Sequence, residues 1–120
     1  MDSETKIQDI KDCVKKYCED RDWDKFHNPK ELAIGIITES SELLEHFRFK
    51  SEKEMEEFFK DSKKRIEIED EMADVLYFLF RLAQKYDVDL SESFKRKMGK
   101  NEIKYPIEKA KGSNKKYTEF

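Results

Sequence analysis

The sequence predicts an all-α fold, and three observations carry that expectation. Only three Gly and two Pro occur among 120 residues, which leaves few turns for a sheet protein. Apolar residues recur at three- and four-residue spacing rather than alternating. A chain of this length holds one core and has room for about four helices. Residues 1–120 are therefore expected to form one domain, a four-helix-type bundle. Apolar residues make up only 37% of the chain, against 44% charged, and they concentrate in 32–49 and 66–86. Two rich stripes in a chain of modest hydrophobicity predict a core completed by oligomerisation.

The elements follow in chain order. Residues 4–20 read as an amphipathic helix, with Ile7, Ile10, Val14 and Tyr17 on one face. The pattern breaks at "DRDWDKFHNPK". Asn28 and Pro29 then supply an N-cap and a first helical position for a helix to about Phe47. Ser51, with Glu54 three residues on, starts a short helix around 52–60. A long helix runs from about Lys63 to Tyr86, and a last one from about Leu90 to Ile103, stopped by Tyr105-Pro106. The tail, 107–120, lacks periodicity and is expected to be flexible or to pack on a neighbouring subunit.

The polar, acidic start Met1-Asp2-Ser3-Glu4 has the order of neither a signal nor a transit peptide, and the longest strictly apolar run is Val75 to Phe80. A soluble cytoplasmic protein with no membrane partner is expected. Cys13 and Cys18 lie five apart, with no CxxC motif, and read as reduced structural thiols.

Two helices place carboxylates where apolar residues are expected. In the second helix, Glu39 and Glu42 lie along the edge of the face formed by Leu32, Ile36, Leu43 and Phe47. In the long helix, Glu71 and Asp74 line up with Phe78, and Glu71 falls inside the apolar arc. A carboxylate so placed is costly to desolvate unless it is paired or holds a cation. Facing one another, Glu39, Glu42, Glu71 and Asp74 would form an all-oxygen site suited to Mg²⁺ or Mn²⁺. The competing reading has these acids salt-bridged to some of the 25 Lys and Arg, in a non-catalytic helical interaction module. A di-iron carboxylate bundle is disfavoured, because neither His27 nor His46 stands three residues after a Glu.

Positive charge gathers at the other end: residues 95–116 hold nine Lys or Arg against two Glu. Lys97, Asn101 and Lys104 form a helical stripe that suits phosphate oxygens, with Tyr105 next to it; a solvated face is the plain alternative. Aromatic and basic residues are not interleaved, so nucleic-acid binding is not expected. Among the aromatic residues, Tyr77 and Phe78 sit at core spacing, and Phe49 lies in a connection. Trp23, Phe26 and His27 lie in an irregular stretch, placed to line a pocket mouth or to anchor a loop.

Four ordered blocks, "WDKFHNPKELAIGIITESSELLEHFRFK", "EDEMADVLYFLFRLA", "KMGKNEIKYP" and "KGSNKKYTEF", resemble the all-α MazG-like nucleoside triphosphate pyrophosphohydrolases, in particular their dCTP pyrophosphatase branch. The resemblance spans residues 20–120. It implies a helical bundle assembled as a tetramer, a dimer of dimers, and Mg²⁺-dependent hydrolysis of a nucleoside triphosphate to monophosphate and pyrophosphate. It puts the metal ligands at Glu39, Glu42, Glu71 and Asp74, and phosphate contacts at Lys97 and Asn101, with Lys104 and Tyr105 adjoining. His27 matches a histidine near the base, beside Trp23. Where relatives of this branch carry Trp and Tyr, this chain has Phe49 and Phe78, which can stack on a base but cannot hydrogen-bond to it.

Overall fold

The computed structural model describes residues 1–120, in which the backbone forms six α-helices and no strand. They are α1 (Ile7–Asp20), α2 (Pro29–Glu45), α3 (Glu52–Phe58), α4 (Ser62–Lys85), α5 (Leu90–Lys104) and α6 (Ile107–Ala110). Single 3-10 turns at Asp24–Phe26 and Tyr117–Glu119 complete the chain. The expectation of four principal helices and a minor one is thus exceeded by α6. This short helix starts directly after Pro106, whose fixed φ suits the entry to a helix.

Short polar side chains set most helix starts. Asn28 Oδ1 accepts from the Glu31 N–H at 2.8 Å, with Pro29 at the first helical position. Ser51, Asp61 and Asp89 cap α3, α4 and α5 in the same way. At the first helix the carboxylate of Asp9 takes the Lys6 N–H at 2.8 Å, so α1 begins at Ile7 rather than at the expected residue 4. Helix α2 ends two residues earlier than expected, and Phe49 beyond it takes the left-handed conformation, with φ of 61°.

The chain divides into two compact units, Met1–Asp87 and Val88–Phe120. In the first, α4 is the axis: α2 packs along it most extensively, and α1 packs on it as well. The pairings run in opposite directions along α2 and α4. His46 meets Lys64, Gly35 meets Phe78, and His27, just before α2, meets Arg81. The two helices are therefore antiparallel. Val14, Cys18, Leu32, Ile68, Phe80 and Ala83 form the buried core. Ile37, Leu44, Ile66 and Met72, on α2 and α4, stay more than half exposed in the single chain.

In the second unit, Tyr105 meets the tail edge-on: the Tyr117 and Phe120 rings lie 5.9 and 5.8 Å from its own. Lys104 Nζ stands 4.8 Å from the centre of the Tyr117 ring. No helix of the protein is long and apolar enough to cross a membrane.

Candidate metal centre and aromatic pocket

Antiparallel packing of α2 on α4 brings two helical faces of opposite sequence direction together, so E-x-x-E on one meets E-x-x-D on the other. Glu39, Glu42 and Glu71 each offer a carboxylate oxygen, and these oxygens all lie within 4.8 Å of one another. Glu39 and Glu71 each keep one oxygen shut off from solvent without a hydrogen-bond partner. Such a cluster resists ionisation. Burial first, then hydrogen bonding to Glu42 and the charges of Glu42, Asp74 and Glu71, push the Glu39 carboxyl up to about 7. Burial, Glu42 and Asp74 likewise raise Glu71, and the nearby His46 opposes them. Asp74 thus acts on the cluster electrostatically, although it stands outside the tightest group of three.

Both unpartnered oxygens belong to residues that the salt-bridge reading would pair with Lys or Arg. The basic side chain beside Glu71 is His46, whose Nε2 lies 3.9 Å from Oε1. All-oxygen donors, crowded like charges and orphaned buried lone pairs fit a hard divalent cation.

Asp74 links the cluster to a cavity of about 310 Å³ lined by Cys13, Val14, Tyr17, Trp23, Asp74 and Tyr77. Its aromatic walls brace one another: Tyr17 stands edge-on to Trp23 at 5.7 Å and to Tyr77 at 5.8 Å. Behind them, the buried Cys18 Sγ lies 3.2 Å from the Tyr77 hydroxyl, and burial followed by this contact raises the phenol's pKa.

The turn carrying Trp23 and His27 is fastened to α4 by two cations. Arg81, 1% exposed, donates from Nε to His27 Nδ1 at 2.9 Å, from Nη2 to Asp24 Oδ1 at 2.8 Å, and from Nη1 to Gln84 at 2.5 Å. Lys85 Nζ donates to the backbone carbonyls of Asp24 and His27. A guanidinium can only donate, so His27 Nδ1 accepts, and the neutral ring carries its proton on Nε2. Burial, then Arg81 and Lys85, lower the His27 pKa and favour that neutral form.

Of the four residues expected at a base, Trp23 lines this cavity, and the His27 ring stands edge-on to the Trp23 ring, 6.5 Å between centres. Phe78 packs on Gly35 and stands edge-on to Tyr77 at 4.9 Å. Phe49 is 90% exposed and does not line the cavity. Lys97, Asn101, Lys104 and Tyr105 all lie in the second unit, the first three on α5 and Tyr105 directly after it. Sequence reasoning misses Val14 and Tyr17 as lining residues, because a stripe at helical spacing reads as core, and Cys13, because it reads as a structural thiol. The three-residue step from Val14 to Tyr17, ahead of the Trp23 break, is the one signal that points to them.

The MazG-like family model matches residues 34–120. The dCTP pyrophosphatase 1 proteins of Mus musculus and Homo sapiens are each 34% identical to this chain over 117 residues, covering 98% of it and 69% of their own length. A crystal structure of a pyrophosphatase from Archaeoglobus fulgidus superposes with a TM-score of 0.76 at 39% identity, covering 82% of this chain and 91% of that one.

Proposed function

This chain belongs to the MazG-like family of all-α pyrophosphohydrolases, and from that premise we propose that it hydrolyses dCTP, or a modified dCTP, to the monophosphate and pyrophosphate. One observation carries the reading: three clustered carboxylates, two of them with an orphaned buried oxygen, adjoin, through Asp74, a cavity walled by aromatic rings. Glu39, Glu42, Glu71 and Asp74 would hold Mg²⁺, with Mn²⁺ as a substitute. A cation bound there supplies neutralisation of phosphate charge and a water of lowered pKa.

The chain's own groups supply the rest. Trp23, Tyr17 and Tyr77 present ring faces and edges to a nucleobase, and His27 holds an N–H donor beside Trp23. With the base in the cavity, the α-phosphate would lie toward the carboxylates, which Asp74 joins to that cavity. Water adds to phosphorus there, the α–β anhydride bond breaks, and pyrophosphate leaves. Lys97, Asn101, Lys104 and Tyr105 are assigned to the phosphates on their α5 spacing and on the resemblance. Phe49 and Phe78 are assigned to the base on the same ground. Exposed Ile37, Leu44, Ile66 and Met72 support assembly with further copies, a cytoplasmic homotetramer being the form the resemblance implies.

A side-by-side assay of nucleoside triphosphates with Mg²⁺ tests the reading. dCTP is expected to give dCMP and pyrophosphate, whereas release of orthophosphate, or turnover of none of the panel, would sink it. Removing a ligand should cost at least what loss of an outer partner of a metal ligand does, so Glu71→Gln should lower kcat/KM by about 100-fold or more. A purely structural module would show no rise in melting temperature on adding Mg²⁺ and nucleotide.

A further inference from the structure

The side chains of α4 follow one another in a fixed order along the helix. Tyr77 and Asp74 face the aromatic cavity, Glu71 stands one turn nearer the start of α4, and Lys64 two turns beyond that. Seven residues separate Glu71 from Lys64, nearly two whole turns, so both lie on one face about 10 Å apart along the axis. For a substrate with its base in the cavity and its α-phosphate at the carboxylates, continuing in the same direction along α4 would bring the remaining phosphates toward Lys64.

Lys64 is arranged to meet them. Its Nζ donates to His46 Nδ1 at 2.9 Å, and Glu67, at 3.8 Å, lies beyond hydrogen-bond range. Two of its three N–H donors remain for a ligand. Its ammonium also meets α3, 5.1 Å from the centre of the Phe58 ring. Because Lys64 can only donate, His46 Nδ1 accepts from it, and the other ring nitrogen, Nε2, faces Glu71 Oε1 at 3.9 Å. The imidazole thus stands between ammonium and carboxylate. Without it, Lys64 would be free to swing onto Glu71 and neutralise a group required for the cation.

We infer that Lys64, spaced from Glu71 by His46, binds the terminal phosphates of the substrate and the pyrophosphate product. This rests on the proposed pyrophosphohydrolase reading and adds a binding residue to it. Calorimetric titration of inorganic pyrophosphate with Mg²⁺, and separately of dCMP, into the wild type, Lys64→Met and Lys64→Arg tests it. Methionine keeps an unbranched stem and removes the ammonium, together with its bond to His46 and its contact with the Phe58 ring. Lys64→Met should weaken pyrophosphate by about tenfold or more and leave dCMP affinity unchanged, while Lys64→Arg retains most of the pyrophosphate affinity. Unchanged pyrophosphate affinity in Lys64→Met overturns the assignment, as does an equal loss for dCMP, which would mark a structural role. His46→Leu should weaken Mn²⁺ binding, and unchanged Mn²⁺ affinity would remove the spacer role. If the wild type turns over no nucleoside triphosphate, the functional reading falls with this one; if it does and Lys64→Met binds pyrophosphate normally, only Lys64 is lost.

Discussion

A carboxyl held up to about 7 is half protonated in neutral solution, so Glu39 makes the metal-free protein sensitive to pH. Its folded-state pKa lies above the ordinary value, and the native state therefore binds the proton more tightly than the unfolded chain. That contribution to stability is complete below about pH 4.5 and is lost as the pH rises through about 7. His27 acts in the opposite sense, since its lowered pKa favours the native state as the pH rises past its ordinary range. The informative measurement is thus the difference between wild type and Glu39→Gln. Between pH 5 and 8 the metal-free wild type should lose melting temperature relative to the variant, and Mg²⁺ should reverse the difference, because it stabilises most the protein with all its ligands. Both the acids and their neighbours trace to the same rule about desolvated charge, yet only the acids were legible in the sequence. A Glu inside an apolar arc announces a need for a partner. Arg81 gave no such sign, because its three partners come from 54 and 57 residues away and from three residues ahead, and only folding gathers them.

At the level of elements, capping chemistry was readable and close approach was not. Asn28, Ser51 and the acid before α5 mark helix starts by local hydrogen bonding, which needs no tertiary context. Gly35 looks like a weak point in α2, where Ala would ordinarily improve helix propensity. Tertiary packing reverses that preference: a Cβ there would fall inside contact distance of three carbons of the Phe78 ring. Gly35→Ala is therefore expected to destabilise the protein by about 1–3 kcal/mol in denaturant titrations, despite the propensity gain. Adding Phe78→Leu, which clears the space, should recover part of the loss. The extra helix α6 and the inward-turned tail were illegible for a related reason, since Tyr117 and Phe120 hold their places by meeting Tyr105 rather than by periodicity.

For the whole molecule, composition spoke before geometry did. The uneven spread of apolar residues pointed to a core shared between copies, and the single chain leaves Ile37 70% and Leu44 61% exposed on α2. Covering this much apolar surface is worth about 25 cal/mol per Å², so charges placed there should oppose assembly. The double variant Ile37→Glu/Leu44→Glu is expected to elute and scatter light as a smaller species than the wild type at equal concentration. Wild-type protein already monomeric at micromolar concentration would remove the proposed assembly.

Tyr77 and Asp74 bring one wall of the cavity from the same helix as Glu71, but the rest of it comes from an earlier stretch of the chain. Val14, Tyr17 and Trp23 precede residue 34, where the family-wide match begins, while Glu39, Glu42, Glu71 and Asp74 all fall within it. Heritable change can thus act on the two separately. Substitutions before residue 34 can reshape what enters the cavity while leaving the acids untouched, so descendants of one bond-breaking centre can diverge in diet without having to reinvent their chemistry.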